Sequence, residues 1–173
     1  MQPLTKAGMV LGLGLGGFVD GIGLHQILGW HHLVCTTETC QAETVEALRR
    51  QNTQDGFFHL ATWLLTVAGV GMLFRAARLQ AERWSGRVLS GAMLAGWGIF
   101  NLVEGLVDHQ ILGIHHVRPG HPNEFLFDML FLASGALLIL IGWLMIKLRS
   151  INCFNSPAVI SHNFSSKKRK EGG

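Results

Sequence analysis

Residues 20–32 read DGIGLHQILGWHH, and residues 104–116 read EGLVDHQILGIHH. Eight of the 13 aligned positions are identical, at a constant offset of 84 residues. The shared positions include the polar ones: His25 with His109, Gln26 with Gln110, and the pair His31–His32 with His115–His116. An acidic residue, Asp20 or Glu104, opens each copy. Both copies lie in strongly apolar surroundings, where an ionisable group is costly and by default marks a functional site. Six imidazoles and two carboxylates repeated in this way are ligand-type groups, so a metal or cofactor centre is the first expectation.

Moving outward from the motif, the composition sets the class. Of 173 residues, 49% are hydrophobic and only 14% charged, with a mean hydropathy of +0.32. A soluble domain usually carries about 25% charged residues. The 22 glycines fit the same reading, since glycine is commoner in membrane helices than in soluble ones. Four stretches reach the roughly 20 apolar residues that span a bilayer: near Ala7–Leu28, Gly56–Phe74, Val88–Leu112 and Phe125–Ile146. The chain is therefore expected to be all-α, a polytopic membrane protein with the bilayer as its first partner. The apolar run after Lys6 passes into Asp20 and His25 without a small-residue cleavage site, so it reads as an uncleaved first span.

The basic residues orient the spans. Lys6, the 2–3 loop (Arg75, Arg78, Arg83, Arg87) and the tail (Lys147, Arg149, Lys167, Lys168, Arg169, Lys170) place eleven on one side. The other side holds three: Arg49, Arg50 and Arg118. By the positive-inside rule both termini are cytoplasmic and both histidine motifs finish at the outer face.

The organisation expected is a tandem duplication of a helical hairpin, with halves near 7–75 and 88–147 in a domain of residues 1–149. Residues 150–173 form a polar, basic tail, expected to be disordered and to meet anionic lipid at Lys167–Lys170; nucleic acid is not an expected partner. Spans 2 and 4 open with Asp55-Gly-Phe-Phe-His59 and Glu124-Phe-Leu-Phe-Asp128, which aligns His59 with Asp128. Halves with an even number of spans share one orientation, as in parallel repeats. A pseudo-twofold four-helix bundle follows, with its site between facing helices.

At about 100° per residue, Asp20 and His31 fall within about 20° of each other on a helix, as do His25 and His32. The second copy repeats this with Glu104 and His115, and with His109 and His116. One ion cannot take all of these, so two layers are expected. The inner one has Asp20, His25, Glu104, Asp108 and His109; the outer one has the His-His pairs; His59 and Asp128 can cap either. Gly29 and Gly113 offer an alternative, in which the helices end there and the His-His pairs sit on a non-helical turn. Gln26 and Gln110 read as partners that orient imidazoles, and Asp108, with Leu24 in its place in the first copy, as a histidine's partner. The bland reading of the carboxylates and of His25 and His109 is a hydrogen-bonded interhelical network, worth only about 0.6 kcal/mol per bond. Gly12, Gly14, Gly16 and Gly17 read as a close-packing helix face. Cys35 and Cys40, in CTTETC on the outer side, are expected to form a disulfide. The segment ETVEALRRQ that follows reads as a short surface helix.

The stretches GLGLGGFVDGIGLHQILGWHH and NLVEGLVDHQILGIHHVRPG resemble a family of bacterial four-helix membrane proteins classed as a domain of unknown function, over about Gly8 to Leu148. The resemblance implies a bacterial inner-membrane location and no particular activity. Several functions stay open. A redox or metal-handling protein would use iron, copper or zinc, since imidazole suits them all. A haem protein would use His25 and His109 as axial ligands. A small metal or ion transporter would require dimerisation to complete a path, and a structural subunit would serve a membrane complex.

Overall fold

The computed structural model describes residues 2–35, 44–79 and 84–154, and every regular element among them is helical. Helix α1 (Pro3–Asp20) runs directly into a π-helical segment, π1 (Gly21–Ile27). Helix α2 (Val45–Arg78) returns across the layer. Helix α3 (Gly86–Glu104) runs into a second such segment, π2 (Gly105–Ile111), and α4 (Glu124–Phe154) follows. Each start has a local cause. Pro3 opens α1, where its missing N–H costs nothing. The Thr44 hydroxyl accepts from Ala47 N–H at 3.1 Å and the Ser85 hydroxyl from Val88 N–H at 3.4 Å, capping α2 and α3.

Four helical rods are long and apolar enough to cross a membrane: Pro3–Ile27, Val45–Arg78, Gly86–Ile111 and Glu124–Leu148. Two boundaries differ from the sequence reading. Val45–Gln51 of ETVEALRRQ form the first turns of α2 and not a separate helix; that helix of 34 residues is about 51 Å long, well beyond a hydrocarbon core of about 30 Å. Helix α4 continues through Ser150 to Phe154, past the expected start of the tail. The basic cluster Lys167–Lys170 lies outside the described residues.

The helices stand in a row, α2–α1–α3–α4, in which α1 packs on α3 and each carries its own flanking helix. The expected four-helix bundle takes the form of this row: among the described residues α2 and α4 form no packed pair. Glycine decides this. A Cβ on Gly12 would strike the Met93 carbonyl oxygen, and one on Gly96 the Met9 carbonyl oxygen, so α1 and α3 cross at backbone contact. The other faces of the same two helices are also small: Gly14 lies on Thr62 and Thr66 of α2, and Gly98 on Gly135 and Ile139 of α4. Helices with two small faces sit in the middle of a row, since lipid supplies no hydrophobic drive and close packing must replace it. The apolar windows of the central rods are 50% buried, those of the flanking rods 11%. The flanking rods therefore present Leu64, Leu65, Leu137 and Leu140 to lipid.

Candidate metal centre

The site forms where α1 and α3 change their winding. Residues five apart on an α-helix point about 140° away from each other. The π form closes i→i+5 bonds and stacks such residues instead. Leu28 N–H donates to Gly23 C=O at 2.9 Å, and Leu112 N–H to Val107 C=O at 2.8 Å. Asp20 and His25 consequently meet on one face, with His25 Nε2 3.1 Å from Asp20 Oδ2. Gly29 and Gly113, each at φ 57°, then end the helices in the left-handed region that favours glycine. Beyond them each His-His pair lies on non-helical chain, where neighbouring side chains diverge. His31 and His115 turn inward and are buried; His32 and His116 turn toward the flanking helices.

Four imidazoles gather between the two π segments. His31 and His115 stack at 4.5 Å between centroids, with 16° between their planes. His25 lies edge-on to His31 at 4.6 Å, and His109 edge-on to His115 at 4.8 Å. The Asp20 and Glu104 carboxyl groups lie beside each other at this cluster. Donor atoms of Asp20, His25, His31 and Glu104 all fall within 4.8 Å of one another, and so do those of His31, Glu104, His109 and His115. All six residues are buried.

Two aspartates on the flanking helices brace the cluster from behind. Asp55 Oδ1 accepts from His25 Nδ1 at 3.1 Å and from the Leu33 N–H at 2.9 Å, while its Oδ2 accepts from His32 Nδ1 at 2.6 Å. Asp128 Oδ1 accepts from the Val117 N–H at 2.9 Å and lies 3.6 Å from His109 Nδ1. Its Oδ2 accepts from His116 Nδ1 at 2.7 Å and from Gln110 Nε2 at 3.3 Å. His31 Nδ1 donates to the Val117 carbonyl at 2.8 Å, a bond that joins the two halves. The Leu33 backbone approaches His115 in the corresponding place, short of hydrogen-bond geometry.

The polar atoms pointing inward have no aligned partner. These are Nε2 of His25 and His31, both ring nitrogens of His109 and His115, both Asp20 oxygens and Glu104 Oε2. His25 Nε2 and Asp20 Oδ2 are close in distance but not aligned as donor and acceptor. Burial pushes the His31 imidazole down from 6.5 to about 4, with the nearby His25 as a second cause. Burial, then His31 beside it, pushes His115 down to about 2. Both rings are therefore neutral at pH 7. With Nδ1 of His31 committed to a carbonyl, its Nε2 carries a lone pair aimed into the cluster. A metal-binding histidine has this arrangement, one nitrogen tied to a carboxylate or carbonyl and the other open.

The expected site residues divide as follows. Asp20, His25, His31, Glu104, His109 and His115 come together as one buried cluster. His32 and His116 stand one shell further out on Asp55 and Asp128, so the His-His pairs are split and do not form a separate outer layer. Asp128 itself braces and does not face the cluster. Asp108 belongs to neither ligand group. Both glutamines are exposed, and Gln110 reaches Asp128. His59 stacks near Phe18 and Phe58 and its Nε2 faces Gly21, outside both ligand groups. Cys35 is buried, its Sγ accepting from the His32 N–H at 3.3 Å; Cys40 lies outside the described residues.

Asp55 is the functional residue that the sequence reading missed. It matches Asp128 in contacts, where the alignment of acids had matched His59. A signal was present: Asp-x-x-Phe occurs at Asp55–Phe58 and again at Asp128–Phe131. Phe58 stacks on His25 at 5.3 Å and Phe131 lies 5.5 Å from His109. Elsewhere, a cavity of about 720 Å³ opens on one face of the α1–α3 pair; it is lined by Phe18, Ile22, Met93 and Trp97 and by none of the six clustered residues.

A family model described as a predicted membrane protein, DUF2243, matches residues 7–149. The chain belongs to this family. The matched span contains all four membrane-crossing helices from Ala7 onward and the whole histidine–carboxylate cluster of this DUF2243 member. No curated protein and no solved structure matches the chain significantly.

Proposed function

We propose that this membrane protein is a resident metalloprotein, holding a first-row transition metal in the Asp20, His25, His31, Glu104, His109 and His115 cluster for a redox role. One observation carries the reading: four imidazoles and two carboxylates converge, buried and with nitrogens and oxygens lacking aligned partners, while Asp55 and the Val117 carbonyl engage His25 and His31 from behind and Asp128 stands 3.6 Å from His109. Leaving such groups unpaired costs several kcal/mol for each buried charge, and metal bound in the cluster would relieve that cost. Three features support a resident ion over one in transit. The donors are buried, His25 and His31 are held from behind by Asp55 and the Val117 carbonyl, and the donor atoms of each four-residue group already lie within 4.8 Å of one another. Mixed imidazole and carboxylate donors favour iron over copper or zinc.

The haem alternative is less well supported, because the stacked His31 and His115 rings fill the space between His25 and His109. We further propose that the cluster faces the outer side of a bacterial inner membrane with both termini cytoplasmic, on the basic asymmetry described above, and that Cys35 and Cys40 form a disulfide there. A reporter fused after Ile151 is expected inside and one inserted near Glu43 outside; the reverse would overturn both statements. Elemental analysis and an absorption spectrum of protein purified from membranes without chelator test the metal reading. Iron without a Soret band is the expected result. A Soret band would replace it with haem, and absence of any metal would overturn it.

A further inference from the structure

The cluster holds six donors but not one coordination sphere. Ligand bonds to nitrogen and oxygen are about 2.0–2.2 Å, so donors sharing an ion lie within about 4.4 Å of each other. The four-residue groups that come near this limit, with donor atoms all within 4.8 Å of one another, are Asp20, His25, His31, Glu104 and, separately, His31, Glu104, His109, His115. Asp20 and His25 do not join His109 and His115 in any one group. The two groups overlap at His31 and Glu104.

These shared residues differ in what they can do. His31 has only Nε2 to give, because Nδ1 is bonded to the Val117 carbonyl. Glu104 has two oxygens, and a carboxylate can place one on each of two ions. Sorted by half of the chain, each side then supplies one carboxylate and two histidines: Asp20, His25 and His31 from the first, Glu104, His109 and His115 from the second. That trio is the two-histidine, one-carboxylate set characteristic of non-haem iron, which leaves coordination positions open.

From this geometry, and resting on the metal reading above, we infer that the centre is dinuclear: two divalent first-row ions, one per trio, bridged by the Glu104 carboxylate. The ions stand about 3.5–4 Å apart, the separation usual for two-metal sites. Two cations also answer the charge placement. Two buried carboxylates side by side repel each other unless a proton or a cation lies between them, and Asp20 and Glu104 stand in that relation here. Asp20 and Glu104 become the anionic half of one ligand set each.

The test is a metal titration of the chelator-stripped, full-length protein in detergent, with Co(II) as the optical and paramagnetic probe. Two equivalents are expected to bind, and the second should diminish the paramagnetic signal of the first through exchange across Glu104. The pair His25→Ala with Asp20→Asn should keep one uncoupled equivalent, and the pair His109→Ala with His115→Ala should likewise keep one. Glu104→Gln should weaken the coupling more than it lowers the stoichiometry at saturating metal. Should a double variant fail to fold, the wild-type stoichiometry and signal decide by themselves. One equivalent per chain overturns the dinuclear centre and leaves the metal reading standing. Two equivalents with no magnetic interaction overturn the bridge. No binding of Co(II), Fe(II), Mn(II) or Zn(II) overturns both readings.

Discussion

The two halves of the site are built alike and braced unequally. In the first, Asp55 holds His25 at 3.1 Å and His32 at 2.6 Å, and His32 is 16% exposed at its side chain. In the second, Asp128 stands off His109 at 3.6 Å and its outer histidine, His116, is 37% exposed. His116 also has Glu124 Oε2 at 3.7 Å, and Asp128 has Gln110, for which the first half shows no hydrogen-bonded counterpart at Asp55. Chain length underlies the contrast. From His32 to Asp55 the chain has 11 residues more than from His116 to Asp128, and the first half uses the excess for a longer helix and the segment around Cys35. One architecture therefore gives a closed, tightly held half and a half nearer to water.

The largest expected effect tests what the halves share. Gly12→Leu and Gly96→Leu each drive a side chain into the opposing backbone, Met93 and Met9 respectively. Neither backbone can retreat without separating α1 from α3, so both variants should abolish accumulation of folded protein, to equal degrees. Membrane-fraction immunoblots check this; a well-folded Gly12→Leu protein would refute the backbone-contact crossing.

Next comes the difference in bracing. Removing the partner that orients a metal-bound histidine costs about 10–100-fold in affinity. Asp55→Ala should sit at the upper end and Asp128→Ala at the lower, because Asp55 engages two imidazoles at hydrogen-bond distance and Asp128 only one. Competition with a chelator of known strength measures both; equal losses would show that the 3.6 Å gap at His109 has no energetic meaning.

Acid should produce a smaller, graded effect on metal-free protein. His31 and His115 are held below the ordinary 6.5, at about 4 and about 2. Below pH 6.5 the unfolded chain takes up protons that the folded one refuses, so stability falls as pH drops. At pH 5 the loss is roughly 2 kcal/mol for each histidine, at 1.36 kcal/mol per pH unit. The His31 contribution levels off near pH 4, while that of His115 persists to lower pH. Melting curves from pH 7 to 3 should show this, and His115→Phe should remove the lower portion. A melting temperature that rises on acidification would contradict the burial of both rings.

The smallest expected effect is at His59. The residue that stands to Asp128 as His59 stands to Asp55 is Leu132, and Leu132 packs on Gly105 as His59 packs on Gly21. His59→Leu should therefore leave metal content unchanged. A loss comparable to that of His25→Ala would put His59 back among the ligands.

Much of this was legible in the chain. The apolar runs marked four helices long enough to cross a membrane, because the bilayer fixes the length of any crossing helix and the polarity it tolerates. The repeated motif singled out the histidines and acids that cluster, since only a few groups in the chain are both ionisable and embedded in apolar sequence. Asp55 was hidden by its neighbours: the acids at Asp55 and Glu124 invited an alignment that is four residues out of step with the contacts.

Other features belong to the tertiary structure alone. Projecting the motif at 100° per residue pairs Asp20 with His31 and His25 with His32, but that calculation holds only while the helix remains α. The π segments shift the phase, and the left-handed glycines, the alternative that Gly29 and Gly113 offered in the sequence, end the helix before either His-His pair. Asp20 therefore meets His25, and His31 separates from His32. The row of four helices likewise emerges only when Gly12 meets Met93 and Gly96 meets Met9. The amino-acid sequence by itself determines which side chains are too polar for lipid to tolerate alone. Which of them face one another was decided by helix winding and backbone contact, since both depend on partners distant along the chain.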